Sequence, residues 1–155
     1  MAALPWVELR PVRWGPEDGF SERLRTYWRD LQVEPSERWH SRYLQRLAAE
    51  DGKERFTFWG YGGDHRVGFV VLRIEADWVE RERRVGYVAE FTVFPEFRRR
   101  GWGRAQFAAA AAWLLARGCR DVELDVLSTN GRGQAFWQAL GFRPAYQHLR
   151  WDPRP

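Results

Sequence analysis

The sequence predicts an α+β fold (α/β by some schemes): a mixed, largely antiparallel twisted sheet with helices on both faces. Three observations lead there. Residues 55–61 and 66–78 are rich in Phe, Val, Ile and Trp, and Gly62-Gly63-Asp64 between them has the chemistry of a hairpin turn. Residues 102–117 form an Ala-rich helical stretch, ended by Gly118 and flanked by strand-like segments. A length of 155 residues, 45% of them hydrophobic and 16% aromatic, suits one domain over residues 1–155.

The expected order is β-α-α-β-β-β-α-β-α-β. Trp6, Glu8, Arg10 and Val12 alternate with Val7, Leu9 and Pro11, so residues 6–13 read as a first strand. Pro16 introduces a helix over 17–31, with Phe20, Leu24, Tyr27, Trp28 and Leu31 along one stripe. Pro35-Ser36-Glu37 opens a second, in which Trp39, Tyr43, Leu44, Leu47 and Ala48 recur at helical spacing. After the hairpin, a strand over 84–94 closes at Pro95. Residues 121–127 read as a strand and 131–140 as a short helix, capped by Ser128 or Asn130 before it and Gly141 after it. A last strand is expected over 142–151.

Composition narrows the function. Twenty-five basic residues face twenty-one acidic ones, for a net charge of +4, and the signs interleave, as in Glu80-Arg81-Glu82-Arg83-Arg84. That pattern marks a solvated surface and not a nucleic-acid groove. The longest apolar run, 107–116, falls well short of the ~18 residues of a membrane span. Glu8 follows closely on the apolar start, so no secretory core forms and a cytoplasmic protein is expected. Cys119 stands alone and His40, His65 and His148 are scattered, so no metal is expected.

The stretch from Phe94 to Arg104 breaks the local rules. A helix start leaves about four amide N–H groups without partners and carries roughly half a positive charge. Sequences normally place Ser, Thr, Asp or Asn there. This one has none of these between Phe97 and Gln106, and puts Arg98, Arg99, Arg100 and Arg104 beside the positive end instead. Each misplaced charge costs on the order of 0.3–1 kcal/mol. Gly101 and Gly103 soften the first turn further. A bound polyphosphate resolves the conflict: its oxygens cap the amides, the glycines allow close approach and the arginines pair with its charge. The bland alternative is a solvated arginine run ahead of a helix.

These residues carry a family resemblance. Arg98-Arg99-Arg100-Gly101-Trp102-Gly103 resembles the Arg/Gln-x-x-Gly-x-Gly/Ala signature of the GNAT superfamily of acetyl-CoA-dependent N-acyltransferases, and Val93-Phe94-Pro95-Glu96-Phe97 is similar to the family's approach to it. Downstream, Asn130, Ala135-Phe136-Trp137 and Leu140-Gly141-Phe142 resemble a second family block. The resemblance implies acetyl-CoA as cosubstrate. It implies that the strand ending at Val93-Phe94 splays from the next one and pairs with the pantetheine arm beside Thr92. It further implies that the diphosphate sits on the amides from Arg99 to Arg104 alongside Arg98. A backbone N–H of Val93 or Phe94 would polarise the thioester carbonyl, while Asn130, Phe136 and Trp137 would lie along the arm.

The implied reaction is direct attack by a primary amine of a small molecule or peptide. An alkylammonium has a pKa of about 10.4, so a base must first take a proton. Glu90 is the candidate, on a strand face expected to hold Val88, Glu90, Thr92 and Phe94; the alternative is a carboxylate that tethers a loop. Trp137 stands where many relatives have a tyrosine acid, and an indole N–H cannot surrender a proton. Tyr146 and Tyr87 are substitutes. Glu34, His40, Glu75 and Asp77 are candidates to attract the amine, Trp28, Trp39, Trp59 and Trp78 to line a pocket, and His148 is a remote candidate base. The protein is expected as a monomer or homodimer, with neither membrane nor nucleic acid as partner. Two other readings stay open: a non-catalytic acyl-CoA-binding protein, and a small basic nucleic-acid module built on residues 98–104.

Overall fold

Apolar alternation, turn chemistry and caps account for most of the architecture. A computed structural model describes residues 5–154. The strands are β1 (Glu8–Pro11), β2 (Arg55–Gly62), β3 (His65–Ala76), β4 (Arg84–Val93) and β5 (Cys119–Leu124). The helices are α1 (Phe20–Asp30), α2 (Glu37–Glu50), α3 (Trp102–Leu115) and α4 (Gly131–Ala139). The chain divides into two compact units, one up to Asp125 and one from Val126 on.

In the first unit the sheet order is β1-β2-β3-β4-β5, antiparallel except for the parallel β4–β5 pair. Gly63 turns the β2–β3 hairpin with φ at 62°, a value open to glycine at no steric cost. Trp59, Phe69 and Val71 face α1 and α2, where they meet Phe20, Leu24 and Leu47 with Val12 and Phe94. Ser36 starts α2, its hydroxyl accepting from the Trp39 amide at 3.2 Å.

α3 lies on the opposite face. Phe56 and Phe58 pack on Trp113 there, with ring centroids 4.7 and 5.2 Å away. Glycines make the seat: a Cβ at Gly60 would lie 2.2 Å from Gln106 Oε1, one at Gly62 2.3 Å from the Trp102 ring, and one at Gly86 2.8 Å from Leu114. Gln106 is buried, and its amide donates to the carbonyls of Phe69 and Thr92 at 3.1 and 3.0 Å. One polar side chain thereby fixes α3 over the middle of the sheet.

Three expectations need correction. The first helix begins later, because Gly19 adopts a left-handed φ of 78° after a separate tight turn at Pro16–Asp18. Asp18 in that turn accepts from Trp59 Nε1 at 2.8 Å and from Arg66 at 2.9 Å, which pins the entry to α1 onto the sheet. β4 carries a bulge: Leu72 pairs with Val88 but Val71 with Glu90, so Ala89 is extra. The parity flip puts Val88 on the α3 side, while Glu90, Thr92 and Phe94 face α1 and α2.

The last strand is the third. In the second unit no strand forms over 142–151 among the described residues; the segment is irregular and leaves Tyr146, Leu149 and Trp151 67–85% exposed. A strand expected from the local sequence still needs a ladder partner, and none pairs with this segment among the described residues. Asn130 caps α4, accepting from the Gly133 amide at 2.9 Å, and Gly141 follows it with φ at 97°.

A Cβ at Gly68 would sit 2.1 Å from the Thr92 carbonyl oxygen, an atom of the backbone. Gly68→Ala therefore lowers stability by about 2–3 kcal/mol. Gly15→Ala, whose Cβ meets nothing within 4 Å, leaves the urea midpoint in place.

Candidate active site

β4 has two unlike edges. Toward β3 it is paired along its length, whereas toward β5 the pairs run from Arg84 only as far as Val88 with Leu124. Residues 89–93 continue beyond the end of β5, which stops at Leu124, and so have no ladder partner on that side. The Phe94 amide donates to Val67 O at 2.8 Å, so it is not free to polarise a carbonyl as expected of it. Antiparallel alternation then turns the Val93 N–H toward the open edge. The Val93 carbonyl accepts from Arg98 Nε at 2.8 Å. The Phe94 ring is core, against Trp59 at 6.2 Å and beneath the Arg23 guanidinium at 3.8 Å. Thr92 is buried, its hydroxyl over the Val93 carbonyl at 3.4 Å.

The loop into α3 is built from unusual backbone. Arg99 has φ at 60° and Gly101 at 84°, two left-handed residues in three. Such a non-glycine residue costs on the order of 1–2 kcal/mol, and turns of this kind converge successive amides into an anion-binding concavity. Gly101 sits at the N-cap position of α3 and no side chain caps the helix; its first turn holds no acid. Among the described residues, no carboxylate pairs with the exposed Arg99, Arg100 or Arg104. Fourteen residues of helix thus begin in uncompensated positive potential, and a diphosphate fits that donor set. Arg98 is engaged elsewhere, for besides bonding Val93 O its guanidinium pairs with Asp30 at the end of α1. The Trp102 ring is turned onto Gly62, edge-on to Phe97 at 6.5 Å, and takes no part in the concavity.

Glu90 lies partly buried on the α1–α2 face. Tyr27 of α1 donates to one carboxylate oxygen at 2.8 Å and Tyr43 of α2 to the other at 2.7 Å. Burial pushes the Glu90 carboxyl above its ordinary range, and the two phenol donors and the charges of Arg55 and Arg73 oppose that rise. Burial, then the carboxylate's charge, raises both phenols, so each stays a protonated donor. An oxygen bonded once by a phenol keeps acceptor capacity for a second donor. A carboxylate with a raised pKa and fixed orientation is suited to take a proton. Sequence reasoning missed both tyrosines, which read as part of an apolar stripe. A signal exists in principle, since a tyrosine in such a stripe needs a partner for its hydroxyl.

Other candidates scatter. Asp77 accepts from the Val79 and Glu80 amides, both at 2.8 Å, which lowers its pKa and ties it to the β3–β4 turn. Glu75 pairs with Arg73 at 3.1 Å. His40 is buried against the Ser21 hydroxyl at 3.2 Å, and desolvation lowers its pKa. Trp59 is core and Trp78 is 88% exposed, but Trp28 and Trp39 meet at 5.7 Å next to Tyr43. Glu34 is exposed, and the Tyr87 hydroxyl donates to Asp125. In the second unit, the Asn130 oxygen is committed to its cap, and Trp137 is buried with its ring 4.8 Å from Phe136 and 5.3 Å from Phe142. Tyr146 and His148 are exposed.

Comparisons with known proteins bear on the fold and the family. The chain is 33% identical over 143 residues to an aminoglycoside N(6')-acetyltransferase type 1 of Stenotrophomonas maltophilia, covering 90% of this chain and 79% of that protein. Its fold is that of an aminoglycoside N-acetyltransferase, AAC(6')-Iy, solved in complex with CoA, at TM-score 0.72 and 20% identity over 100% of this chain and 99% of that one. It is similarly close to a ribosomal-protein-alanine N-acetyltransferase from Brucella melitensis biovar Abortus 2308, at TM-score 0.75 and 16% identity over 94% and 99%. The model of the acetyltransferase (GNAT) family matches residues 20–142, and the chain belongs to that family of acetyltransferases.

Proposed function

We propose that this acetyltransferase moves the acetyl group of acetyl-CoA onto a primary amine of a small molecule or peptide by direct attack. The observation that carries the reading is the uncapped start of α3, crowned by three arginines without carboxylate partners among the described residues. The amides of residues 99–104, with Arg99, Arg100 and Arg104, take the diphosphate. The open edge of β4 over residues 89–93 takes the amide-bearing arm as an added strand, and the Val93 N–H donates to the thioester carbonyl. The cosubstrate supplies an acyl group on a good leaving group, since a thiol ionises near pKa 8.5. Glu90 removes the ammonium proton, directly or through a water. Tyr27 and Tyr43 hold its oxygens in place and favour the ionised form. The thiolate leaves as the anion without an acid from Trp137, and the second proton that the attacking nitrogen sheds passes to it or to solvent.

Isothermal titration with CoA, followed by free-thiol release across amines, tests the reading. A protein that binds no CoA overturns it, and one that binds acetyl-CoA but consumes it with no amine is an acyl-CoA-binding protein instead. Arg99→Ala and Arg104→Ala are each expected to weaken CoA binding about fivefold, roughly 1 kcal/mol for an exposed charge pair. Arg98→Ala acts differently: it loosens the β4 edge and the end of α1, so it lowers the thermal midpoint as well.

The pH dependence has a definite sign. Turnover falls as Glu90 becomes protonated at low pH. Tyr43→Phe removes a donor to the charged form, so the Glu90 pKa rises further and the acid limb of kcat moves to higher pH. Glu90→Gln lowers kcat about 100-fold or more and abolishes that limb. An unchanged profile in both variants removes Glu90 from the chemistry.

A further inference from the structure

We infer that the acceptor is a monoamine with a flat aromatic or apolar body, seated against Trp39, Tyr43 and Trp28 with its amine directed to Glu90. This rests on the acyl-transfer reading above and adds the chemical class of the acceptor.

An aromatic series runs from solvent to the carboxylate. Trp39 is 47% exposed and stacks on Tyr43 at 5.0 Å with an interplanar angle of 21°. Trp28 stands edge-on to both, at 5.7 and 5.8 Å, and Tyr27 touches Trp28 at 5.0 Å. The two tyrosines of this series are the ones that hold Glu90. A large indole left half in water, stacked flat on a residue bonded to the candidate base, offers area for a planar ligand. The same ring faces attract the ammonium on its way to Glu90. Trp28 Nε1 is buried and has no acceptor among the described residues, which leaves a donor for an oxygen on the ligand's body.

Charge separates this acceptor from a polycation. The acids around the series are mostly matched by arginines: Glu37 by Arg25 at 2.9 Å, Asp30 by Arg98, and Glu50 by Arg55 at 2.6 Å. Arg55 and Arg73 add positive potential at Glu90 itself. Glu34, exposed on the turn between α1 and α2, has no arginine from this set. A ligand carrying three or more ammonium groups would meet guanidinium groups where it needs carboxylates. One amine on a flat body meets rings and one carboxylate.

The test compares acetylation of 2-phenylethylamine, methylamine, spermidine and kanamycin by thiol release, together with calorimetric binding of each amine to the CoA-loaded protein. The expected kcat/KM for 2-phenylethylamine exceeds those for spermidine and kanamycin at least tenfold. Trp39→Ala should cut the 2-phenylethylamine-to-methylamine ratio at least tenfold and Trp39→Phe should keep it. Selective binding of 2-phenylethylamine with acetylation of no amine in the panel overturns both the acyl-transfer reading and the assignment of this monoamine as acceptor. Preference for spermidine or kanamycin, or a ratio that Trp39→Ala leaves unmoved, overturns the inference while transfer to another amine stands.

Discussion

Five residues of β4 run past the end of the β5 ladder, and their outward backbone groups need partners other than a neighbouring strand. Much of the first unit is arranged around that need. Arg98 reaches back to the Val93 carbonyl and carries Asp30, hence the end of α1, with it. The bulge at Ala89 turns Glu90 from the α3 face to the face where Tyr27 and Tyr43 wait. With β5 alongside, the edge would be a closed ladder. Arg98 occupies one carbonyl of that edge, and the rest of it stays open to an added strand.

The helix start beyond the edge follows an opposite rule. Most helices hide their positive end behind a side-chain oxygen, as α2 does with Ser36 and α4 with Asn130. α3 instead has glycine at its N-cap position and left-handed backbone at Arg99, and adds three cations. Cap and dipole energies of order 1 kcal/mol each are given up together at one place. α1 also starts at a left-handed glycine without a side-chain cap, but it carries Glu22 in its first turn, whereas α3 has no acid there and three cations, the imbalance that the proposed diphosphate would offset.

What is legible in the sequence is what acts locally. The Gly62-Gly63-Asp64 turn, the Ser36 cap and the uncapped arginine loop are all conflicts or agreements within a few residues, and they stand where the sequence places them. What is hidden depends on distance along the chain. Tyr27 and Tyr43 find their partner 63 and 47 residues away, and Arg98 finds Asp30 at a separation of 68. Ala89 is as ordinary in a regular strand as in a bulge, so no residue announces the flip that separates Val88 from Glu90. Residues 142–151 are expected as a strand, but a local reading says nothing about whether a neighbour is present to complete a ladder.

Gln106 has a consequence for ligand length. Its carboxamide is lodged over Gly60 and Gly68 and anchored to the carbonyls of Phe69 and Thr92, the latter on β4 itself. The helix cannot slide along the sheet without withdrawing that amide from its slot. The span between the arginine loop and the outer edge of β4 is thereby held constant, like the jaws of a caliper set to one gap. In the proposed binding mode, a thioester whose arm is shorter or longer than that gap would fail to seat its phosphates and present its carbonyl at Val93 together.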